Sequence, residues 1–320
     1  MSRVVTTKTQ NPRLAYGEAL LELAAHNPNV VALDADLCKS TMSTLVQEKY
    51  PERFFEMGIA EQNMAATAAG LALSGKLPFI HSFAVFVSGR AYDQIRQAIC
   101  TARLNVKIVG SSAGLSDFGD GATHQSIEDM ALMRTLPQMT VLSPCDAYEV
   151  KKAVWAMAER EGPVYLRLSR NDVLWVTEAD TPFEIGRIQQ FRPGKDLVIF
   201  ATGAMVATAL EAARQLAACG ISAKIVNVAT LKPLDEAGIQ RESQGMHGVV
   251  TVEEHTVIGG LGSAVLEALS GSRVPVQRIG IRDGFGTSGM SHAELLEHYG
   301  LTATAVVGAA SELMEGRTAP

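Results

Sequence analysis

The stretch FFEMGIAEQNMAATAAG, residues 54–70, sets an apolar, strand-like run against an Ala-rich run of helical character, with one carboxylate, Glu61, at the junction. Strand-to-helix junctions repeated along a chain mark parallel strands joined by helical crossovers. The repetition is present here. Upstream, RLAYGEALLELAAH (13–26) places Leu14, Leu20, Leu21 and Ala24 at helix-compatible spacing, and VVALD (30–34) reads as a short buried strand ending in an acid. Downstream come FIHSF (79–83) as strand, GRAYDQIRQAICTARL (89–104) as helix and VKIVG (106–110) as strand. The polar loop SSAGLSDFGDGATHQ (111–125), the helix IEDMALMRTL (127–136), MTVLSP, the helix DAYEVKKAVWAMAERE and the strand PVYLRL then close a first unit.

Between 171 and 195 the periodicity lapses into a segment with two prolines and mixed charge, which reads as a linker with a short hairpin. The alternation then resumes with DLVIFATG, MVATALEAARQLAACG, SAKIVNVAT, GVVTVEEH, GGLGSAVLEALSG and VPVQRIGI, and SHAELLEHYG (291–300) is expected as the last helix. The expected class is therefore α/β, with two domains, each a mainly parallel sheet with flanking helices. Their expected limits are 1–175 and 195–320, joined by a linker at 176–194.

Composition narrows the function. The 320 residues are 47% hydrophobic and 19% charged, enough to bury a sizeable core, and the net charge of −6 is spread without a basic stripe or acidic tail. Nucleic acid and membrane surfaces are thus not expected partners. No apolar run approaches the about 18 residues that span a bilayer, and the N-terminal MSRVVTTKTQNPR is polar, without an apolar leader. Cys38, Cys100, Cys145 and Cys219 lie far apart, with no CxxC pair. They are expected to be buried thiols in a reducing compartment, which places the protein in the cytoplasm.

In open parallel sheets ligands bind beyond the carboxyl ends of the strands, so the polar residues after each apolar run are the candidates. These are Asp34, Asp36, Glu61, the 111–125 loop and Arg170. Glu61 could simply complement the positive end of a helix. It has no basic residue at positions 57 or 65, however, and unpaired among Met57, Ile59, Ala60 and Met64 it would have a raised pKa suited to proton exchange. Phe83 and Phe86 in HSFAVF could be core or a cofactor platform. In DGATHQ, Asp120 and His124 could be solvated or could read a substrate and move protons. GGLG (259–262) could cradle phosphate or merely permit close packing. GDG (119–121) resembles the start of a thiamine diphosphate and magnesium motif, but the window MTVLSPCDAYE (139–149) lacks the Asn that should follow. No metal site is expected in this chain.

The Glu61 stretch, HSFAVF, DGATHQ, PCDAYE and LSRN, in this order and at these separations, resemble the C-terminal half of transketolase over essentially the whole chain. The resemblance implies a pyrimidine-binding domain followed by the family's C-terminal domain, without the domain that binds the cofactor's diphosphate through Mg²⁺. It therefore implies the small subunit of a split transketolase, transferring a two-carbon ketol group between a ketose phosphate and an aldose. A large N-terminal subunit would hold the diphosphate and Mg²⁺, in an α2β2 heterotetramer.

The resemblance further implies that Glu61 hydrogen-bonds the pyrimidine N1′ of thiamine diphosphate and so promotes loss of the thiazolium C2 proton. Phe86, with Phe83 beside it, would stack on the pyrimidine, and Asp36 and Leu37 would border it. Asp120 and His124 would face the substrate, His124 also acting in proton transfer, and Arg13, Ser40 and Arg170 would hold the sugar phosphate. Ser112 stands where many transketolases place a phosphate-contacting His, which implies an anionic sugar different from the common pentose phosphates. Two other functions remain open on the sequence: the β subunit of a thiamine-dependent 2-oxoacid dehydrogenase, and a non-catalytic binding or scaffold protein that retains the fold.

Overall fold

The computed structural model describes residues 7–315; residues 1–6 of the polar N-terminal stretch, and 316–320, lie outside the described residues. The first half of the chain builds a seven-stranded sheet. Its order is Thr230–Lys232, Thr140–Leu142, Val164–Arg167, Lys107–Ser111, Leu77–Phe83, Val30–Asp34, Phe54–Glu56. Six of these strands run parallel. Every residue of Val30–Asp34 and Leu77–Phe83 is buried, as befits strands covered by helices on both faces.

The second half builds a five-stranded sheet in the order Val276–Ile281, Val249–Thr256, Leu197–Ala201, Ala223–Asn227, Gln189–Arg192, parallel except for the last strand. Two mainly parallel sheets with flanking helices match the α/β class expected from the alternation.

The two halves are less separate than their sequences suggest. Thr230–Lys232 belongs to the second half, yet pairs antiparallel with Thr140–Leu142 at the edge of the first sheet. Gln189–Arg192, inside the segment read as a linker, is a strand of the second sheet rather than a tether or hairpin. One hydrophobic cluster runs through both halves, joining Met130, Met139 and Tyr165 to Val198, Phe200, Leu231 and Val249. SHAELLEHYG is not the last helix either, because Ala303–Glu315 follows and packs on Met205–Ala218.

A buried ion pair pins the first domain beneath this junction. Arg167 Nε donates to both carboxylate oxygens of Asp129 at 3.1 and 2.9 Å, Tyr165 Oη donates to Asp129 at 2.8 Å, and Arg167 Nη2 donates to the Glu254 carbonyl at 2.8 Å. Both charges are almost wholly out of water. Removing one partner of such a pair costs about 3–5 kcal/mol, because the other is left buried and uncompensated.

GGLG takes the packing role. The helix Leu261–Ala268 starts at Gly260, and the carboxylate of Glu253 already accepts from the Leu261 and Gly262 amides at 2.6 and 2.8 Å. A Cβ on Gly260 would collide with Glu253 Oε2. The chain's own acid fills the place a phosphate would take, and burial pushes its carboxyl up to about 7. Of the cysteines, Cys100 and Cys145 are buried, whereas Cys38 is half-buried and Cys219 exposed, so only two match the expectation of buried thiols.

Candidate active site

The carboxyl ends of four adjacent parallel strands, finishing at Glu56, Asp34, Phe83 and Ser111, open onto a common rim. Glu61 is the first residue of the helix Glu61–Leu73, which has no side-chain cap, and its carboxylate is 1% exposed. Ser82 Oγ donates to one of its oxygens at 3.0 Å and Arg90 Nη1 to the other at 2.7 Å. The expectation of an unpaired acid is therefore corrected. Its partner lies 29 positions away in the sequence.

Arg90 closes a π-helical turn, Phe86–Arg90, that follows the strand Leu77–Phe83. Helical turns of this width recur at functional sites because they re-aim side chains. Here the turn sets Phe86 beside Phe83, with ring centroids 5.9 Å apart and planes 14° from parallel. The segment expected as one helix, 89–104, instead begins inside this turn and, after Ala91, runs helically from Tyr92 to Cys100, widening from α to π geometry at Ile95. His124 stands edge-on to both rings, at 5.3 Å from Phe86 and 6.3 Å from Phe83. The Arg90 guanidinium carbon lies 4.6 Å from the Phe86 centroid. A buried acid, a stacked aromatic pair and an imidazole thus meet at one end of the sheet.

The second group lies along the same loop. Asp120 and His124 flank the 3-10 turn Gly121–Thr123, so the loop ties the aromatic cluster to a cationic one. Arg170 Nη1 lies 2.5 Å from Asp117 Oδ1 and 3.7 Å from the exposed Asp120 carboxylate. Asn11, which caps the helix Pro12–His26, donates to the Arg170 carbonyl, and Arg13 Nη1 donates to the Ser40 carbonyl at 2.8 Å. The Arg13 pKa is lowered by burial and by the like charge of Arg170. Burial pushes the Asp117 carboxyl up while Arg170 draws it down. Two guanidinium groups that feel each other's charge, one of them tethered to a carboxylate, form a site where an anion would relieve repulsion.

Asp36 and Leu37 lie where the strand Val30–Asp34 ends. Asp36 is exposed with φ 63°, a left-handed backbone fixed by its own N–H donating to Glu56 Oε1 at 2.8 Å. The Leu37 N–H donates to Asp34 Oδ1 at 2.6 Å, and Thr41 and Ser43 hydroxyls donate to its other oxygen. Burial pushes the Asp34 carboxyl up to about 6. Asp34 therefore shapes the loop that carries Asp36, Leu37 and Ser40.

Ser112 is corrected as a substrate contact. It is fully buried at the end of Lys107–Ser111, with φ 54°, and its hydroxyl points into protein without a hydrogen-bond partner. Sequence order puts it in the loop, but the direction of its side chain takes it off the rim. Sequence reasoning does not reach Arg90, Ser82, Asp117 or Asn11. Only Arg90 leaves a sequence signal, a cation four residues after the aromatic Phe86.

The C-terminal domain braces the loop from behind. The buried Glu254 carboxylate accepts from the Leu115 amide at 2.7 Å and pairs with His292 Nε2 at 2.9 Å. Gln125 Nε2 donates to the Thr287 carbonyl at 2.9 Å, and the Gly289 amide to the Phe118 carbonyl at 2.9 Å. The Glu254 charge raises the His292 pKa against the effect of burial.

Comparison with known proteins agrees with this architecture. Residues 8–174 match the transketolase pyrimidine-binding domain and 186–306 the transketolase C-terminal domain. The chain is 43% identical over 304 residues to a 6-deoxy-6-sulfo-D-fructose transketolase subunit of Clostridium sp. (strain MSTE9), covering 95% of this chain and 94% of that one. It is 37% identical to an apulose-4-phosphate transketolase subunit of Phocaeicola vulgatus, over 95% of this chain and 97% of that one. A solved structure described as "Split gene transketolase, inactive beta4 tetramer" superposes with a TM-score of 0.87 at 48% identity, covering 96% of this chain and 99% of that one. With both of the family's domains present in order and the sheets arranged accordingly, this chain belongs to the transketolase family.

Proposed function

We propose that this chain is the small subunit of a split transketolase. It moves a two-carbon ketol unit from a ketose phosphate to an aldose, with a large subunit supplying the domain that holds the diphosphate and Mg²⁺ of thiamine diphosphate. The observation that carries the reading is the meeting of the buried Glu61 with the Phe83–Phe86 pair and His124. That set fits an aminopyrimidine: an acid to accept at a ring nitrogen and an aromatic face to stack on. A flat N–H-donating group, the Arg90 guanidinium, already satisfies both contacts in this structure.

When bound, the cofactor supplies the nucleophilic carbon on which the ketol unit travels. Glu61 holds the proton at the pyrimidine nitrogen, and Phe83 and Phe86 orient the ring, with Asp36 and Leu37 at its border. His124 moves protons on the substrate oxygens. Asp120 receives a sugar hydroxyl, and Arg13 and Arg170, with Ser40 beside them, hold the anionic end. Two relatives named as transketolase subunits for a sulfosugar and for a sugar phosphate support an anionic sugar here.

With the diphosphate held by the proposed large subunit, the cofactor would lie across an interface, so the proposed assembly is α2β2, and the exposed Cys219 thiol is in keeping with a reducing cytoplasm. The domains are assigned as 1–175 and 195–320, and of the segment 176–194 between them Gln189–Arg192 pairs with the second sheet. The test is co-expression with a transketolase N-terminal subunit and assay against a panel of ketose and aldose phosphates. Ketol transfer by the pair, and none by this chain alone, is expected; turnover by the isolated chain, or an inactive pair that never takes up cofactor, would refute the reading.

A further inference from the structure

Arg90 occupies an unusual position, bridging the two groups that define the proposed pyrimidine pocket. Its Nη1 donates to Glu61 Oε2 at 2.7 Å and its guanidinium carbon lies 4.6 Å from the Phe86 ring centroid. A guanidinium is planar, delocalised and edged with N–H donors, and it stacks on aromatic faces. In those respects it is a small mimic of a protonated aminopyrimidine. Glu61 is 1% exposed and held from behind by Ser82, so it cannot turn to a second partner on another side. The Arg90 side chain is 43% exposed, and Gly89 beside it leaves open space around the turn. One member of the pair is fixed and the other is free to leave.

Resting on the functional reading above, we propose that Arg90 is an internal occupant of the pyrimidine pocket: it seats on Glu61 and Phe86 in the cofactor-free subunit and swings out to solvent when thiamine diphosphate enters. Seated, it keeps the buried carboxylate paired before assembly. The same seat makes it a competitor. If the guanidinium fills the pocket nine parts in ten, the apparent cofactor affinity falls about 10-fold relative to the open pocket.

The test is titration of thiamine diphosphate, with Mg²⁺ present, into the reconstituted complex, followed by calorimetry, for wild type, Arg90→Met and Arg90→Lys. Met keeps the stem and removes the donor; Lys keeps the charge and loses the planar fork. Tighter binding by R90M, by about 3-fold or more, with R90K shifted in the same direction by less, is the expected result. If R90M fails to assemble, the direction of the R90K shift decides. Unchanged or weaker binding in the variants, alongside ordinary loading of wild type, overturns the occupant role and leaves the transketolase reading intact. Binding by none of the three proteins overturns both.

Discussion

Two of the first domain's Arg–carboxylate pairs are of similar length and opposite character. Arg167 and Asp129 are both sealed from water, and the pair is clamped by Tyr165 and by the Glu254 carbonyl. Glu61 is equally buried, but its partner Arg90 is 43% exposed and carried on a π-helical turn. The difference teaches what each charge is for. A pair closed at both ends ties elements together, while a pair open at one end keeps an acid ready for another partner.

Four substitutions press on that contrast, from the strongest effect to the weakest. Glu61→Gln should lower ketol transfer in the reconstituted enzyme by about 10²-fold or more with little change in thermal midpoint, because the amide cannot hold the proton; near-normal turnover would show that the open pair is structural after all. Arg167→Met should behave in the opposite way. It strands Asp129 and should lower unfolding free energy by about 3–5 kcal/mol, measured by urea titration, and a loss under about 1 kcal/mol would erase the distinction between the pairs.

Arg170→Lys should raise KM for the phosphorylated sugar by about 10-fold while kcat holds, since the fork and not only the charge meets the anion. An equal fall in kcat would move Arg170 into the chemistry. The smallest effect lies in the brace. His292 has a raised pKa because Glu254 faces it, so the pair's contribution is fully present below the ordinary His value of 6.5 and is lost as pH rises through the raised folded value. His292→Gln should remove that fall, about 1 kcal/mol, from the stability-against-pH curve; an unchanged slope would mean that another group titrates there.

The legible parts of this molecule are those whose information is local. Val30–Asp34 and Leu77–Phe83 are apolar runs of strand length, and the residues following them mark the rim of the site without any knowledge of pairing. The strands Thr230–Lys232 and Gln189–Arg192 are not legible, because three or four residues with polar ends carry no period and their partners lie far away in sequence. Ala303–Glu315 escapes a reading by propensity through its Gly308 and β-branched Thr304, Val306 and Val307, which tertiary packing overrides. Within the site, Phe83, Phe86, His124 and Glu61 converge as the motifs suggest. The Glu61–Arg90 pair is not legible, since it depends on the width of one helical turn, and Ser112 misleads because order in a loop does not give direction.

The edge strand Thr230–Lys232 has a consequence for how the protein is made. On the ribosome the first domain's residues emerge well before 230, so for a time the strand Thr140–Leu142 is an open edge with unpaired backbone groups. At about 5–20 residues per second that interval lasts several seconds. A nascent chain in this state is a substrate for chaperones and for edge-to-edge association with its neighbours on a polysome. A fragment ending near 174 would keep that vulnerability permanently.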